Sequence, residues 1–262
     1  MSTSNLILGY AVTPIHVGAG RTPGIVDLPF QRDSIGYPIV YGSSFKGVLK
    51  SFLINRNKAD IAKCFFGAEP DEDSKTISKY IITDMLPVIY PVASIEEGYL
   101  YITTEYLLSR AEDIVSSVSP SFNLYNEDEQ KQNNQINLLT GSAVPSRTIK
   151  PNQQINDLGS LIRSKGKVYV FGSDIGLQFV ESALIRVARN VLDRSSKTSK
   201  NLWYEEYVPP GTVFVGGIID TPRPNSFCKE LSTNFQNEFN NQAIFLGGKE
   251  SIGKGLIKLL VI

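Results

Sequence analysis

Four segments carry residue types that could bind or transform a ligand. The run Gly247-Gly248-Lys249-Glu250-Ser251-Ile252-Gly253-Lys254-Gly255 concentrates glycine, lysine and a hydroxyl. Glycines let backbone amides approach a phosphate, and Lys249, Ser251 and Lys254 add charge and hydrogen bonds. The order is not that of a Walker A loop, and the same composition also suits a β-hairpin connection. In Gly42-Ser43-Ser44-Phe45-Lys46-Gly47, two hydroxyls and a lysine open a helical pattern. A helix start of this kind is either an anion site or an ordinary capped terminus. Asp27 stands among apolar residues in the glycine-bearing loop 18–32. Its carboxylate could hold a divalent cation, act as a base beside a 2′-hydroxyl, or stabilise a turn. Leu202-Trp203-Tyr204-Glu205-Glu206-Tyr207-Val208-Pro209-Pro210 joins aromatics to paired carboxylates. Such aromatics stack on splayed bases or fill a core.

The totals limit what these segments can do. His16 is the single histidine, which excludes a histidine-rich metal site and any two-histidine catalytic scheme. Cys64 and Cys228 are the two cysteines, without CxxC spacing. A structural zinc site is therefore nearly excluded, and two reduced, mostly buried thiols are expected. Basic and acidic side chains number 26 each, so the net charge is zero. That argues against a free-standing nucleic-acid binder while leaving room for local basic stripes. No run approaches the ~20 apolar residues of a membrane helix. The N-terminus lacks a signal-peptide pattern, so a cytoplasmic protein is expected.

The elements that must position these residues follow from hydrophobic period. Residues 5–17 read as an opening strand. Phe45, Val48, Leu49, Phe52 and Leu53 share one face of a helix over 44–55, with Ser43 or Ser44 as its cap. Lys46 in its first turn opposes the helix dipole unless a phosphate binds there. Val180, Ala183, Leu184, Val187, Ala188 and Val191 predict a second helix over 176–192. Strand-like runs occupy 79–83, 86–92, 99–104, 167–171, 212–219, 243–246 and 255–262. Two helices among such strands predict an α+β sheet in a ferredoxin-like βαββαβ order. The polar stretch 116–143, with low complexity around 128–137, and the basic stretch 144–167 read as insertions.

Taken in order, several segments resemble the RAMP superfamily of CRISPR proteins. They are Ile15-His16-Val17-Gly18-Ala19-Gly20, Val26-Asp27-Leu28-Pro29-Phe30-Gln31-Arg32, Gly42–Gly47, Cys64-Phe65-Phe66-Gly67, Ile82-Thr83-Asp84-Met85, the aromatic run 202–210 and the loop 247–255. The Val-Asp-Leu-Pro and Trp-Tyr-Glu-Glu-Tyr-x-Pro-Pro segments narrow the resemblance to the backbone subunit of type III-B (Cmr) effectors. The matches run from about residue 7 to 257 and thin out over 116–170, apart from Val144-Pro145-Ser146-Arg147.

The resemblance implies one RAMP domain over 1–262: a modified RNA-recognition-motif palm with a β-hairpin thumb, placed by this reading within 144–167. It implies a metal-dependent endoribonuclease that cuts target RNA at regular intervals within a multi-subunit complex. Its partners would be guide RNA, complementary target RNA, copies of itself and other Cmr subunits. Asp27 falls where the family has its catalytic aspartate, with Mg or Mn as the expected cation. His16, Glu205 and Tyr207 match other positions near the cleavage point. Ser43, Ser44, Lys46, Arg147, Gly248, Lys249, Ser251 and Lys254 are the expected RNA contacts. Rival readings are a non-cleaving RAMP scaffold, which would lack Asp27 in this setting, and a guide-processing endonuclease, which the lone His16 disfavours. A nucleotide-using small-molecule enzyme has no Rossmann or P-loop fingerprint behind it.

Overall fold

The structure, a computed structural model, describes residues 4–21, 24–68, 76–128, 135–221, 228, 231 and 233–262. Pro23 of the Asp27 loop and most of the low-complexity run therefore lie outside the described residues. The chain opens with β1 (Ser4–Ala11), α1 (Gly42–Ile54) and α2 (Ala59–Phe66), followed by β2 (Tyr80–Ile82), β3 (Leu86–Ser94) and β4 (Gly98–Thr104). Next come α3 (Glu105–Val118), β5 (Tyr125–Glu127), β6 (Ile136–Leu138), β7 (Gly141–Ala143) and β8 (Arg147–Pro151). Then follow α4 (Gln153–Leu158), α5 (Ser160–Lys165), β9 (Val168–Phe171), α6 (Ser173–Ala183), β10 (Ile185–Leu192) and β11 (Ser199–Tyr207). The chain ends with β12 (Val213–Asp220), α7 (Phe235–Phe239), β13 (Ala243–Phe245), a 3-10 turn at Glu250–Ile252 and β14 (Leu256–Val261).

One mixed sheet runs in the order β13-β14-β1-β12-β3-β4-β9-β8-β5, with β2 beside β12 and β6 and β7 joined to β3. The pairs are antiparallel except β4 with β9. That one parallel step needs a crossover, which α3 and the following segments supply. Leu6–Ala11 of β1 and Val213–Ile218 of β12 are buried without alternation, as expected where both sheet faces are covered. Helices α3 and α6 pack against β3 and β4 and against each other, while α4 and α5 rest on β1, β14 and β4.

Three sequence expectations change. The predicted helix over 176–192 stops at Ala183: Leu184 is extended (φ −70°, ψ 141°), and Ile185–Leu192 is a strand. Its apolar residues fit both a helical stripe and a two-residue alternation, and the β-branched Ile185, Val187 and Val191 favour the strand. The stretch 144–167 is not a projecting thumb, because β8 pairs with β9 and β5 inside the main sheet. The separate two-stranded ribbon is β10–β11, with Ile185 opposite Tyr207. Asp193 closes its turn, accepting from the backbone N–H of Ser195 and Ser196 and pairing with Lys200 at 2.7 Å. Finally, Cys64 on α2 and Cys228 are disulfide-bonded, with Cα atoms 5.3 Å apart, rather than two reduced thiols. They lie 164 residues apart in the chain, so their meeting is a property of the tertiary fold.

Candidate active site at the root of the β10–β11 ribbon

Four segments distant in sequence lace together where β11 enters the main body. Ile15 and Val208 exchange backbone hydrogen bonds of 3.0 and 2.9 Å. Leu28 donates to Tyr204 O (3.0 Å) and accepts from Glu206 N–H (3.1 Å), a parallel bridge alongside β11. Gly248 N–H donates to His16 O (2.8 Å). Gly247 makes this approach possible. Its φ is +87°, and a Cβ there would stand 2.1 Å from His16 O. The Asp27 loop, the His16 strand end, β11 and the glycine-rich loop thus form one backbone assembly.

Strand alternation divides β11 into two faces. Trp203, Glu205 and Tyr207 share one, and Tyr204 and Glu206 share the other. Glu205 is the hub of the first face and is fully buried. It accepts from Trp203 Nε1–H (2.8 Å) and from the Tyr207 hydroxyl, pairs with Lys249 Nζ (2.8 Å) and faces Arg189 Nε at 3.8 Å. Burial alone would push its carboxyl up, but the hydrogen bonds from Lys249, Tyr207 and Trp203 outweigh it and hold the group at about 2. Glu205 is therefore an anion at any physiological pH and has no proton to give. Burial, then the Glu205 anion, push the Tyr207 phenol upward, so Tyr207 stays a neutral donor.

Lys249 lies in the left-handed region (φ 71°). That conformation is uncommon for a residue with a Cβ, and the structure around it must support it. Its ammonium turns inward to Glu205 instead of pointing to solvent. Lys254 sits over the Tyr207 ring, 5.6 Å from its centroid. The His16 ring lies 5.3 Å from that of Tyr207, and His16 Nδ1 meets the carbonyl of Glu206 at 2.7 Å. A carbonyl only accepts, so the neutral imidazole carries its proton on Nδ1 and keeps a lone pair on Nε2. Gly18 lies against that nitrogen: a Cβ there would come within 3.0 Å of it.

Asp27 sits at the other end of the same face. Its Oδ2 accepts from Tyr204 N–H (2.9 Å), and Oδ1 faces Arg21 at 3.9 Å. Its side chain is one-third exposed, at a cavity of about 210 Å³ lined by Arg21, Asp27, Leu28, Asn201 and Trp203. Among the described residues, no three His, Cys, Asp or Glu side chains converge as a metal site. Asp27 is the one carboxylate among the described residues lining this cavity, so a cation here would take its protein charge from Asp27 alone, with the Asn201 amide oxygen as a neutral neighbour.

The opposite face of β11 is anchored by charge. Glu206 is almost fully buried and accepts from Arg32 Nη2 (2.6 Å), Arg186 Nε (3.2 Å) and Phe30 N–H (3.2 Å). Glu181 of α6 pairs with Arg32 and with Arg186 Nη2 (2.6 Å). This quartet fixes the ribbon root to the Asp27 loop and to α6. Sequence reasoning missed Arg32 and Arg186 as functional supports. For Arg186 the signal was the alternation over 185–192, which sets it on the face opposite Ile185, Val187 and Val191; no local pattern flagged Arg32.

The expected RNA contacts divide. Ser44 and Gly247 line one groove of about 450 Å³ between α1 and β13, with Ser43, Lys46, Gly248 and Ser251 beside them in sequence. Ser44 Oγ accepts from Gln31 Nε2 (3.2 Å), and neither serine caps α1. Asp84 Oδ1 instead accepts from Gly42 N–H (2.7 Å), so a carboxylate of the chain already occupies that terminus. Arg147 lies apart on β8, paired with Glu105 (2.9 Å) and Glu127.

Comparison with known proteins agrees with this architecture. The family model of the RAMP superfamily matches residues 10–258. The CRISPR system Cmr endoribonuclease Cmr4 of Pyrococcus furiosus is 28% identical, with 95% of this chain and 92% of the relative covered. The fold matches a chain of the type III-B Cmr-beta complex in its apo state with a TM-score of 0.78 at 26% identity, covering 99% and 97% of the two chains. It matches a chain of Cmr-beta bound to cognate target RNA with a TM-score of 0.73 at 26% identity, covering 98% and 96%. With the ribbon, the glycine-rich loop and the Asp27 loop all inside the matched span, this chain belongs to the RAMP superfamily.

Proposed function

We propose that this chain is a repeating backbone subunit of a type III-B CRISPR effector, holding guide RNA and cutting complementary target RNA beside Asp27. The observation that carries the reading is convergence. Asp27, His16, Glu205, Tyr207 and Lys249 come from distant parts of the chain and meet at the root of one ribbon. The similarity to an endoribonuclease and to a complex holding target RNA supports it. Guide RNA lies along α1 and the loop 247–255, whose groove exposes backbone and hydroxyl groups suited to a sugar–phosphate strand.

In the reaction, the 2′-hydroxyl of a splayed target nucleotide attacks its own 3′ phosphorus. The O2′–P bond forms and the P–O5′ bond breaks, leaving a 2′,3′-cyclic phosphate and a 5′-hydroxyl. Asp27 Oδ1, the oxygen not held by Tyr204 N–H, is the one that can take the 2′-hydroxyl proton or, alternatively, hold a divalent cation. The leaving oxygen recovers a proton from water, which His16 can orient through its Nε2 lone pair. Glu205, permanently ionised, positions Trp203, Tyr207 and Lys249. A divalent cation would be held by Asp27 together with RNA phosphate oxygens and water, the usual manner of Mg²⁺. When bound, it would neutralise charge developing on the phosphoryl oxygens.

The test is Asp27→Ala in the reconstituted complex. Cleavage at all regularly spaced sites should fall by about 100-fold or more while target affinity stays. Undiminished cutting would leave this chain as a scaffold and move the nuclease to another subunit.

A further inference from the structure

The cavity beside Asp27 has a use beyond access to the carboxylate. At about 210 Å³ it is smaller than the ~300–1,000 Å³ of a drug-sized site. Its wall is mainly apolar, formed by Leu28 and by Trp203, the only tryptophan in the chain. The indole does not move freely, because its Nε1–H is committed to Glu205, itself held by Lys249 and Tyr207. A rigid aromatic surface within one cavity of a carboxylate suits an unstacked base, and stacking tolerates any sequence. Arg21, mostly exposed, stands at the same cavity and adds a cationic plane.

We infer that Trp203 is the platform on which the nucleobase of the cleaved target nucleotide stacks, seating its ribose against Asp27. This rests on the function proposed above and deepens it. Trp203 is then a positioning residue whose ligand is a base, and target sequence enters only through stacking strength.

The experiment uses the reconstituted complex with Trp203→Ala and Trp203→Phe, and targets intact or abasic at the cleaved nucleotide. Trp203→Ala should slow cutting about ten-fold or more, and Trp203→Phe, which keeps a ring but loses the bond to Glu205, should retain most activity. The abasic target should slow the unmodified complex comparably and cause no further loss in Trp203→Ala. A Phe variant as slow as Ala, or losses that multiply, would overturn the proposal and leave Trp203 a support for Glu205. A second readout needs no cleavage. 2-Aminopurine walked along the target should be quenched at regular positions by the unmodified complex and not by Trp203→Ala. Quenching without cutting would keep the base seat and sink the nuclease reading, whereas unchanged quenching in Trp203→Ala would sink the seat.

Discussion

Replacing Glu205 by Gln tests whether the buried carboxylate is a structural anion. The native group is held at about 2 against an ordinary 4.5, with Lys249, Tyr207 and Trp203 as its partners. A folded-state value below the unfolded one stabilises the fold fully above the unfolded value, and that stability is lost as pH falls toward the folded value. The difference corresponds to about 3 kcal/mol at pH 7 and to less than half of that at pH 3. Gln can still accept from Trp203 or Tyr207, but it leaves Lys249 without its counter-charge in a left-handed loop. Urea denaturation of the full chain and of Glu205→Gln, followed from pH 7 to pH 3, should give a stability gap near the first value that shrinks toward the second. The gap should be flat between pH 5 and pH 7. A gap under about 1 kcal/mol at pH 7, or one that does not narrow in acid, would refute the reasoning.

Three further outcomes are expected. Reduction, or Cys64→Ala, should lower stability by about 2–4 kcal/mol in denaturant titrations, and alkylation without reductant should label neither cysteine; two freely alkylated thiols would refute the bond. Arg186→Ala removes one of the two guanidinium partners of Glu206 and should loosen the ribbon root. Trypsin should then cut at Arg189–Lys200 several-fold faster and target cleavage should fall, whereas an unchanged digestion rate would deny the quartet its anchoring role. Chelating divalent cations should suppress cutting without releasing target, and Mg²⁺ or Mn²⁺ should restore it; full activity in chelator would remove the cation from the proposal.

How much of this was legible in the sequence depended on whether the signal was local. The α1 face, from Phe45 to Leu53, declared itself by period because one side of a helix is buried. The strands β3, β4, β9, β12 and β14 did so by runs of apolar and β-branched residues. The ribbon did not, because Val180 to Val191 satisfies a helical stripe and a strand alternation at once. Helix α3 went unread: its charged outer face over Glu105–Val118 hid a buried row of Leu107, Leu108, Ala111, Val115 and Val118. At the site, resemblance singled out Asp27, His16, Glu205 and Tyr207, and the fold brings them to one ribbon root. Their partners were not, since Lys249 turning inward and Asp84 reaching the α1 terminus are long-range facts that no window of residues contains.

Glu206 joins two tasks in one residue. Its side chain grips Arg32 and Arg186, while its main-chain carbonyl holds the ring of His16. The ribbon beyond it is a beam clamped at one end, with charged residues along its free length. Glu206 is the fulcrum of that beam. The peptide that the imidazole is tethered to and the carboxylate that locks the ribbon belong to one residue, so any change at Glu206 reaches His16 and the Arg32–Arg186 anchor together.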